Sequence, residues 1–288
     1  MNLKGLNQQH AYQEVCLFWD KHCQGEDEQP WQEWDYVFAM TALYKMKRYE
    51  DCLQLYREFH HAHPSSSLFD DRMGWAVYHV HLKGHDFKTG DNARYLKQVD
   101  FVLHHGKQGQ YSPVALIVGQ AVRAILSGWL GQKIDYQRAN EYLDHLDPKK
   151  LPQEERTYQQ DDGKMRRLAS EQEKWYAYKS KILLKLKQYD ACISCCDQAL
   201  AVINRFHTNN DAWISLRKIE ALIELDRTAD AKATLEHLLQ RPARHWKMDM
   251  LGYRIAVMEH DEDAALKYIG EAALLDPNHG MRVQFYEE

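Results

Sequence analysis

The chain has 288 residues, with 37 Lys and Arg against 42 Asp and Glu, a formal charge of −5, 14 Gly and 7 Pro. Val, Ile and Thr number 29 together, fewer than the 31 Leu, which excludes a sandwich, barrel or propeller built on β-branched strands and Gly/Pro turns. With 8 Trp, 17 Tyr and 8 Phe the chain is not a disordered one, and its net negative charge excludes a global attraction to nucleic acid or anionic membrane.

Helices are therefore expected throughout. The first segment lacks the apolar core and cleavage site of a signal peptide, and six Cys in so long a chain suit a reducing compartment, so the expected location is the cytoplasm. Residues 1–32 are read as an N-terminal helix packed on the first of several helix pairs. Residues 33–147 follow as divergent pairs. Within them, Lys45-Met-Lys-Arg-Tyr-Glu-Asp-Cys52-Leu53 reads as a helix end, a turn carrying Tyr49, and a second helix whose small residue is Cys52. Ala93, with the apolar run from Val99 to Leu103, is read as the same frame. Gly84 to Asp91 is an unusually long connection. Ser112-Pro113 reads as an N-cap with Pro at the first helical position. The apolar stretch from Val114 to Leu130 carries Gln120 and Arg123 and is short for a membrane span, so it reads as a buried helix and no membrane partner is expected.

Ala139, Leu143 and Leu146 suggest another second helix. Residues 148–170 read as a polar linker or insertion, after which Ser170-Glu171-Gln172-Glu173 opens a long helix with a capping box. In 171–277 the frame is clearest: Lys185-Leu-Lys-Gln-Tyr-Asp-Ala-Cys192-Ile193 nearly superposes on the 45–53 segment. Ala231/Leu235/Leu238 and Ala265/Ile269/Ala272 lie 34 residues apart at all three positions. All seven Pro fall beside candidate turns, and 278–288 is left as a tail.

A 34-residue period with a small residue at a helix crossing, an apolar one a turn later and Pro after the second helix resembles the tetratricopeptide repeat. That resemblance implies an all-α solenoid, a right-handed superhelix of antiparallel helix pairs. The run SEQEKWYAYKSKILLKLKQYDACISCCDQAL, with RFHTNNDAWISLRK and ALKYIGEAALL, is also similar to tetratricopeptide segments of large bacterial proteins from conflict or defence operons. Both resemblances imply a recognition or regulatory module. No unit shows the full W-x2-L-G-x2-Y pattern, and the other steps between small positions run from 39 to 53 residues.

In the family frame the first helix of each pair lines a groove through its second, fifth, ninth, twelfth and thirteenth positions. The implied partner-binding residues are Trp34, Tyr44 and Lys45; Lys174, Lys181 and Lys185; Trp213 with Arg217 beside it; and Lys247 and Arg254. This set suits a protein or peptide segment, preferably acidic. The family's carboxylate-clamping asparagines are missing, so that activity is not expected. Eleven Lys and Arg against six Asp and Glu from Lys149 to Lys187 leave nucleic acid as the second reading, and eight acids against two bases from Glu259 to Glu288 make the chain dipolar. The last pair lacks a polar capping helix, from which self-association or cover by another domain or partner is expected.

Catalytic signatures are missing: no phosphate loop, no dinucleotide fingerprint and no nucleophile elbow occurs. Asp161-Asp162 has no partner base. Histidines cluster at His60/His61/His63, His79/His81/His85 and His104/His105, and His81 and His85 would share a helix face only if the helix ran past Gly84. Cys192, Cys195 and Cys196 occupy core positions of the frame and read as small hydrophobes. No enzyme, metal site or cofactor is expected, and an enzyme or metal protein built on the His or Cys clusters is the least favoured alternative.

Overall fold

The computed structural model describes residues 2–26, 30–107, 112–131, 133–154, 156–159, 163, 165–203, 210–241 and 244–275. The 278–288 tail, Pro277 and Asp161-Asp162 lie outside them. The described residues form helices α1 (Leu3–Gln8), α2 (Tyr12–Gln24), α3 (Glu33–Lys45), α4 (Tyr49–Ala62), α5 (Asp70–Val77), α6 (Asn92–His105), α7 (Pro113–Leu126) and α8 (Tyr136–Asp144). After a two-stranded hairpin come α9 (Glu171–Lys185), α10 (Tyr189–Val202), α11 (Asn210–Glu224), α12 (Thr228–Leu239), α13 (Trp246–Met258) and α14 (Glu262–Leu275). None of the described helices is long and apolar enough to cross a membrane. The chain divides into two compact units, Met1–Asp135 with Asp144–Lys150, and Tyr136–Leu143 with Leu151–Glu288.

One local device recurs in both units. At the end of α3, Lys47 takes φ 59°, its N–H donates to Tyr44 O at 3.1 Å, and the Arg48 N–H donates to Leu43 O at 2.9 Å. Lys187, Asp226 and His260 repeat this geometry after α9, α11 and α13, with φ of 58°, 55° and 57°. These are paired C-terminal bonds that satisfy carbonyls the helix leaves open, and the left-handed residue turns the chain back on itself. Each left-handed residue stands five positions before the small residue of the frame, Cys52, Cys192, Ala231 or Ala265. The N–H of each small residue closes the first turn of the second helix, as Cys192 N–H does onto Gln188 O at 2.8 Å. Cys52, Cys192 and Ala231 are fully buried, because two helices cross too closely there for a larger side chain.

In the second unit this gives three antiparallel pairs, α9/α10, α11/α12 and α13/α14, with α9 against α11 and α11 against α13. Their core is one cluster running from Tyr176 and Leu183 through Cys192, Cys196, Ile214, Ile219 and Leu222 to Leu235, Leu251 and Ile255. Helix α8 joins it. The Trp175 Nε1–H donates to Leu143 O at 3.1 Å, and Lys179 Nζ donates to Asn140 Oδ1 at 2.7 Å. Ser170 caps α9 as expected, its Oγ accepting from Glu173 N–H at 3.1 Å, while the Glu173 carboxylate accepts from Asn210 Nδ2 at 2.7 Å and so ties α9 to α11.

One expectation is corrected. Ala93 is exposed, and α6 buries Tyr95 together with Val99 and Val102 of the expected apolar run, because Ala93 stands on the opposite side of the helix from that stripe. Ahead of α6, α5 runs into a wider π-helical turn, Tyr78–Leu82, followed by a connection locked by Asn92, which donates to Phe87 O and Trp129 O while its Oδ1 meets His85 Nε2 at 2.8 Å. The 148–170 segment, read as a polar linker or insertion, has local structure. It holds a short 3-10 turn, Pro148–Lys150, and an antiparallel hairpin of β1 (Arg156–Gln159) and β2 (Met165–Leu168), registered with Arg156 opposite Leu168.

Two helical glycines with opposite surroundings test this packing. A Cβ at Gly252 of α13 would sit 2.7 Å from the Tyr268 ring of α14, whereas a Cβ at Gly119 of α7 meets nothing within 4 Å. Gly119→Ala is expected to stabilise by about 0.5–1 kcal/mol through helix propensity. Gly252→Ala is expected to destabilise by about 1 kcal/mol net, since overpacking of roughly 1–3 kcal/mol outweighs the propensity gain. Urea unfolding of both variants checks the difference in sign.

Candidate functional site

The implied groove residues fall into two sets, one in each unit. In the first unit, Trp34 is 65% exposed and its ring stacks on Phe38 at 6.3 Å, one helical turn further along α3. Tyr44 meets the edge of Tyr49, and burial pushes its hydroxyl pKa up. Lys45 is exposed. Between them Thr41 Oγ1 accepts from Arg72 Nη1 at 2.7 Å, joining α3 to α5.

In the second unit the residues stand on α9, α11 and α13, and the side chains link those helices. Lys247 Nζ lies 3.2 Å from Glu220 Oε2, and Arg254 Nη2 lies 2.7 Å from Glu224 Oε1. The Arg254 guanidinium holds the Glu224 carboxyl below its ordinary range. Lys174 pairs along its own helix with Glu171 at 2.8 Å. Trp213 is 38% exposed and meets the edge of His245 at 5.0 Å.

Arg217 differs from the other cations. Half-buried on α11, it donates from Nη1 to two neutral acceptors on α9, Ala177 O at 2.9 Å and Ser180 Oγ at 3.0 Å. Burial lowers its proton affinity. Lys181 follows Ser180 directly and is also half-buried; its pKa is lowered by burial and then by the charges of Arg217 and Lys185. Among the described residues neither Arg217, Lys181 nor Lys185 forms an ion pair with a carboxylate, although the Glu220 charge acts on Arg217 from along α11. Glu220 and Glu224 occupy the ninth and thirteenth groove positions of the frame on α11. Opposite charges at the ninth and second, and at the thirteenth and ninth, positions of successive first helices were the available signal. Ser180 carried none, since its role depends on where α11 lies.

Two of the described cations in the basic 149–187 run point away from the groove face of α9. Lys179 is buried toward Asn140, Lys187 sits in the left-handed turn, and several of its side chains lie outside the described residues. On α14, Leu266, Leu274 and Leu275 are exposed, whereas the residues 34 positions earlier are Lys232 on α12 and Gln240 and Arg241 just past its end.

The cysteines and histidines do not assemble a reactive centre among the described residues. Cys192 and Cys196 are fully buried in the core, Cys192 Sγ–H donates to Ser180 O at 3.4 Å, and burial pushes the Cys195 thiol up to about 12. All six cysteines are free. No group of three His, Cys, Asp or Glu suited to a metal ion occurs among the described residues. His85 lies beyond the left-handed Gly84 and does not continue the face of His81.

Antiparallel helix pairs closed by one recurring turn, with first helix against first helix in the second unit, give an all-α fold of the tetratricopeptide-like helical-repeat type. By sequence the chain matches no protein family and no curated protein. Solved structures similar to it include three at low identity. Pseudomonas aeruginosa pilF is 13% identical at TM-score 0.42, covering 88% of this chain and 96% of its own. A tetratricopeptide repeat protein from Parabacteroides merdae is 11% identical at TM-score 0.35, covering 93% and 94%. The C-terminal part of a TPR repeat-containing protein from Cytophaga hutchinsonii is 14% identical at TM-score 0.43, covering 96% and 94%.

The imidazoles of the first unit give it a pH dependence. His105 lies 5.5 Å from His60 and 4.5 Å from His104, ring to ring, and its pKa is lowered by burial and then by those two neighbours, against Asp70. His79, stacked on Tyr49 at 4.3 Å, is lowered by burial and by Lys83 and Lys47. His81 is lowered by burial and by Arg94 and Arg57, against Glu50. Below the ordinary value of 6.5 the unfolded chain therefore takes up protons that the folded unit resists, so this contribution is full above pH 6.5 and is lost as pH falls toward the depressed values. The raised carboxyls of Asp70 and Asp71 act in the opposite sense, starting from 3.8. Thermal unfolding followed by circular dichroism should show a lower Tm at pH 5.5 than at pH 7.5, and a smaller drop in His105→Gln.

Proposed function

We propose that the protein is a non-catalytic scaffold or regulatory subunit that binds an acidic segment of another protein along the groove face of α9, α11 and α13. The observation that carries this is charge left over. Lys174, Lys247 and Arg254 are ion-paired, while among the described residues Lys181, Lys185 and Arg217 are not, so the junction of α9 with α11 keeps a local positive surplus on a chain whose net charge is −5. Trp213 adds an apolar shelf beside it. Polar and aromatic groups on rigid helices, with no nucleophile or metal cluster among the described residues, suit recognition better than chemistry. Six free cysteines support a reducing cytoplasm. The resemblance of 170–275 to segments of bacterial conflict proteins supports a place in a defence complex.

A peptide-array screen with the full chain tests the reading. Acidic peptides selected on the array should weaken by about tenfold or more in Lys181→Glu/Lys185→Glu, with affinity falling as salt rises, and should be unchanged in Lys187→Glu, whose side chain sits in the turn. Selected peptides that bind the double variant as well as the parent would refute it.

A further inference from the structure

The three leftover cations form a more specific feature than a basic strip. Among the described residues Arg217 donates only from Nη1, and both acceptors are uncharged, so the guanidinium keeps its full charge and its Nη2 and Nε donors have no acceptor there. Those two bonds fix it against the turn of α9 that bears Lys181, and Lys185 lies one helical turn further along the same face. One fixed planar cation thus stands with two ammonium groups that the described residues do not neutralise.

A single carboxylate brings one negative charge to this cluster. A phosphate monoester brings about −1.5 to −2 and three strong acceptor oxygens, one edge of which matches a guanidinium fork. A nucleic-acid backbone would need the surplus to continue along the face. It does not, because Lys174 on one side and Lys247 and Arg254 on the other are already paired, and Glu220 and Glu224 stand on the neighbouring helix. The positive surface is therefore sized for one dianion.

We propose that Lys181, Lys185 and Arg217 form a subsite for the phosphate of a phosphorylated side chain on the segment that the groove holds. This rests on the groove reading above. Phosphate bound there relieves the repulsion that depresses Lys181, so binding takes up protons as pH rises toward the ammonium range.

The test uses the full chain and nuclear magnetic resonance of the Arg217 Nε–H and the α9 amides, with inorganic phosphate and acetate titrated at matched ionic strength. Phosphate should produce saturating shifts with an apparent affinity about tenfold above acetate. Lys185→Gln, an exposed change that leaves packing intact, should weaken phosphate by roughly two- to fivefold, and Lys181→Gln/Lys185→Gln should remove saturation. Equal binding of acetate, or phosphate shifts that persist in the double variant, would overturn the assignment. A second arm compares an alanine-glycine decapeptide carrying one phosphoserine with its glutamate counterpart and with oligothymidylate. Preference for the phosphopeptide supports the subsite. Equal affinity for the glutamate peptide on α9 and α11 removes the phosphate assignment and keeps the groove, whereas tighter oligothymidylate binding overturns the proposal. Saturable phosphate binding without either peptide supports the subsite and removes the groove.

Discussion

A reversal of a few residues, closed by two backbone hydrogen bonds onto the end of the preceding helix, sets the direction of every second helix in the 171–275 array. Lys187, Asp226 and His260 adopt left-handed backbone there although none is glycine. Such a conformation costs an L-residue about 1–2 kcal/mol, and the bonds to the open helix carbonyls hold it in place. Five residues later comes the buried small side chain, at a distance fixed by the turn. Spacing and crossing are thus one constraint: the turn delivers Cys192, Ala231 or Ala265 to the place where the paired helix comes closest. Once pairs are closed this way, α9 and α13 both lie against α11, and their outward faces become a shared surface.

That surface explains how the charges are spent. Between α11 and α13 the adjoining helices carry opposite signs and neutralise one another through Lys247–Glu220 and Arg254–Glu224. Between α9 and α11 the Glu173–Asn210 bond links the helix starts, and further along the linking cation is Arg217, whose acceptors are a carbonyl and a hydroxyl. The first junction is electrically closed and the second is open. The mild charge of the whole chain conceals this difference, because it comes from which helix faces which. Partially buried ion pairs such as these add modest stability and do more to fix the register of neighbouring helices.

The helix pairs were legible in the sequence wherever the small residue kept its distance from the turn, as at Cys52, Cys192, Ala231 and Ala265. The reading failed at Ala93, which stands two residues before Tyr95 and so on the opposite side of α6 from the buried stripe of Tyr95, Val99 and Val102. Composition does not reveal which face of such a helix is buried. The hairpin at 156–168 was missed because its residues are polar and its strands short. Among the groove residues the positions were readable but the partners were not. Lys174, Lys181 and Lys185 look alike along α9, and only the placement of Glu171 and Arg217 separates the neutralised one from the two that are not.

The most direct test of the account is to map, by amide chemical-shift changes, where an acidic peptide selected on the array contacts the full chain. The account predicts that the largest changes lie on the first-helix face, around Ala177, Lys181, Leu184, Trp213 and Arg217, and weaken toward Val257. Changes confined to α10, α12 and α14 would contradict it, since that pattern would put recognition on the opposite side of the array from the unpaired charge.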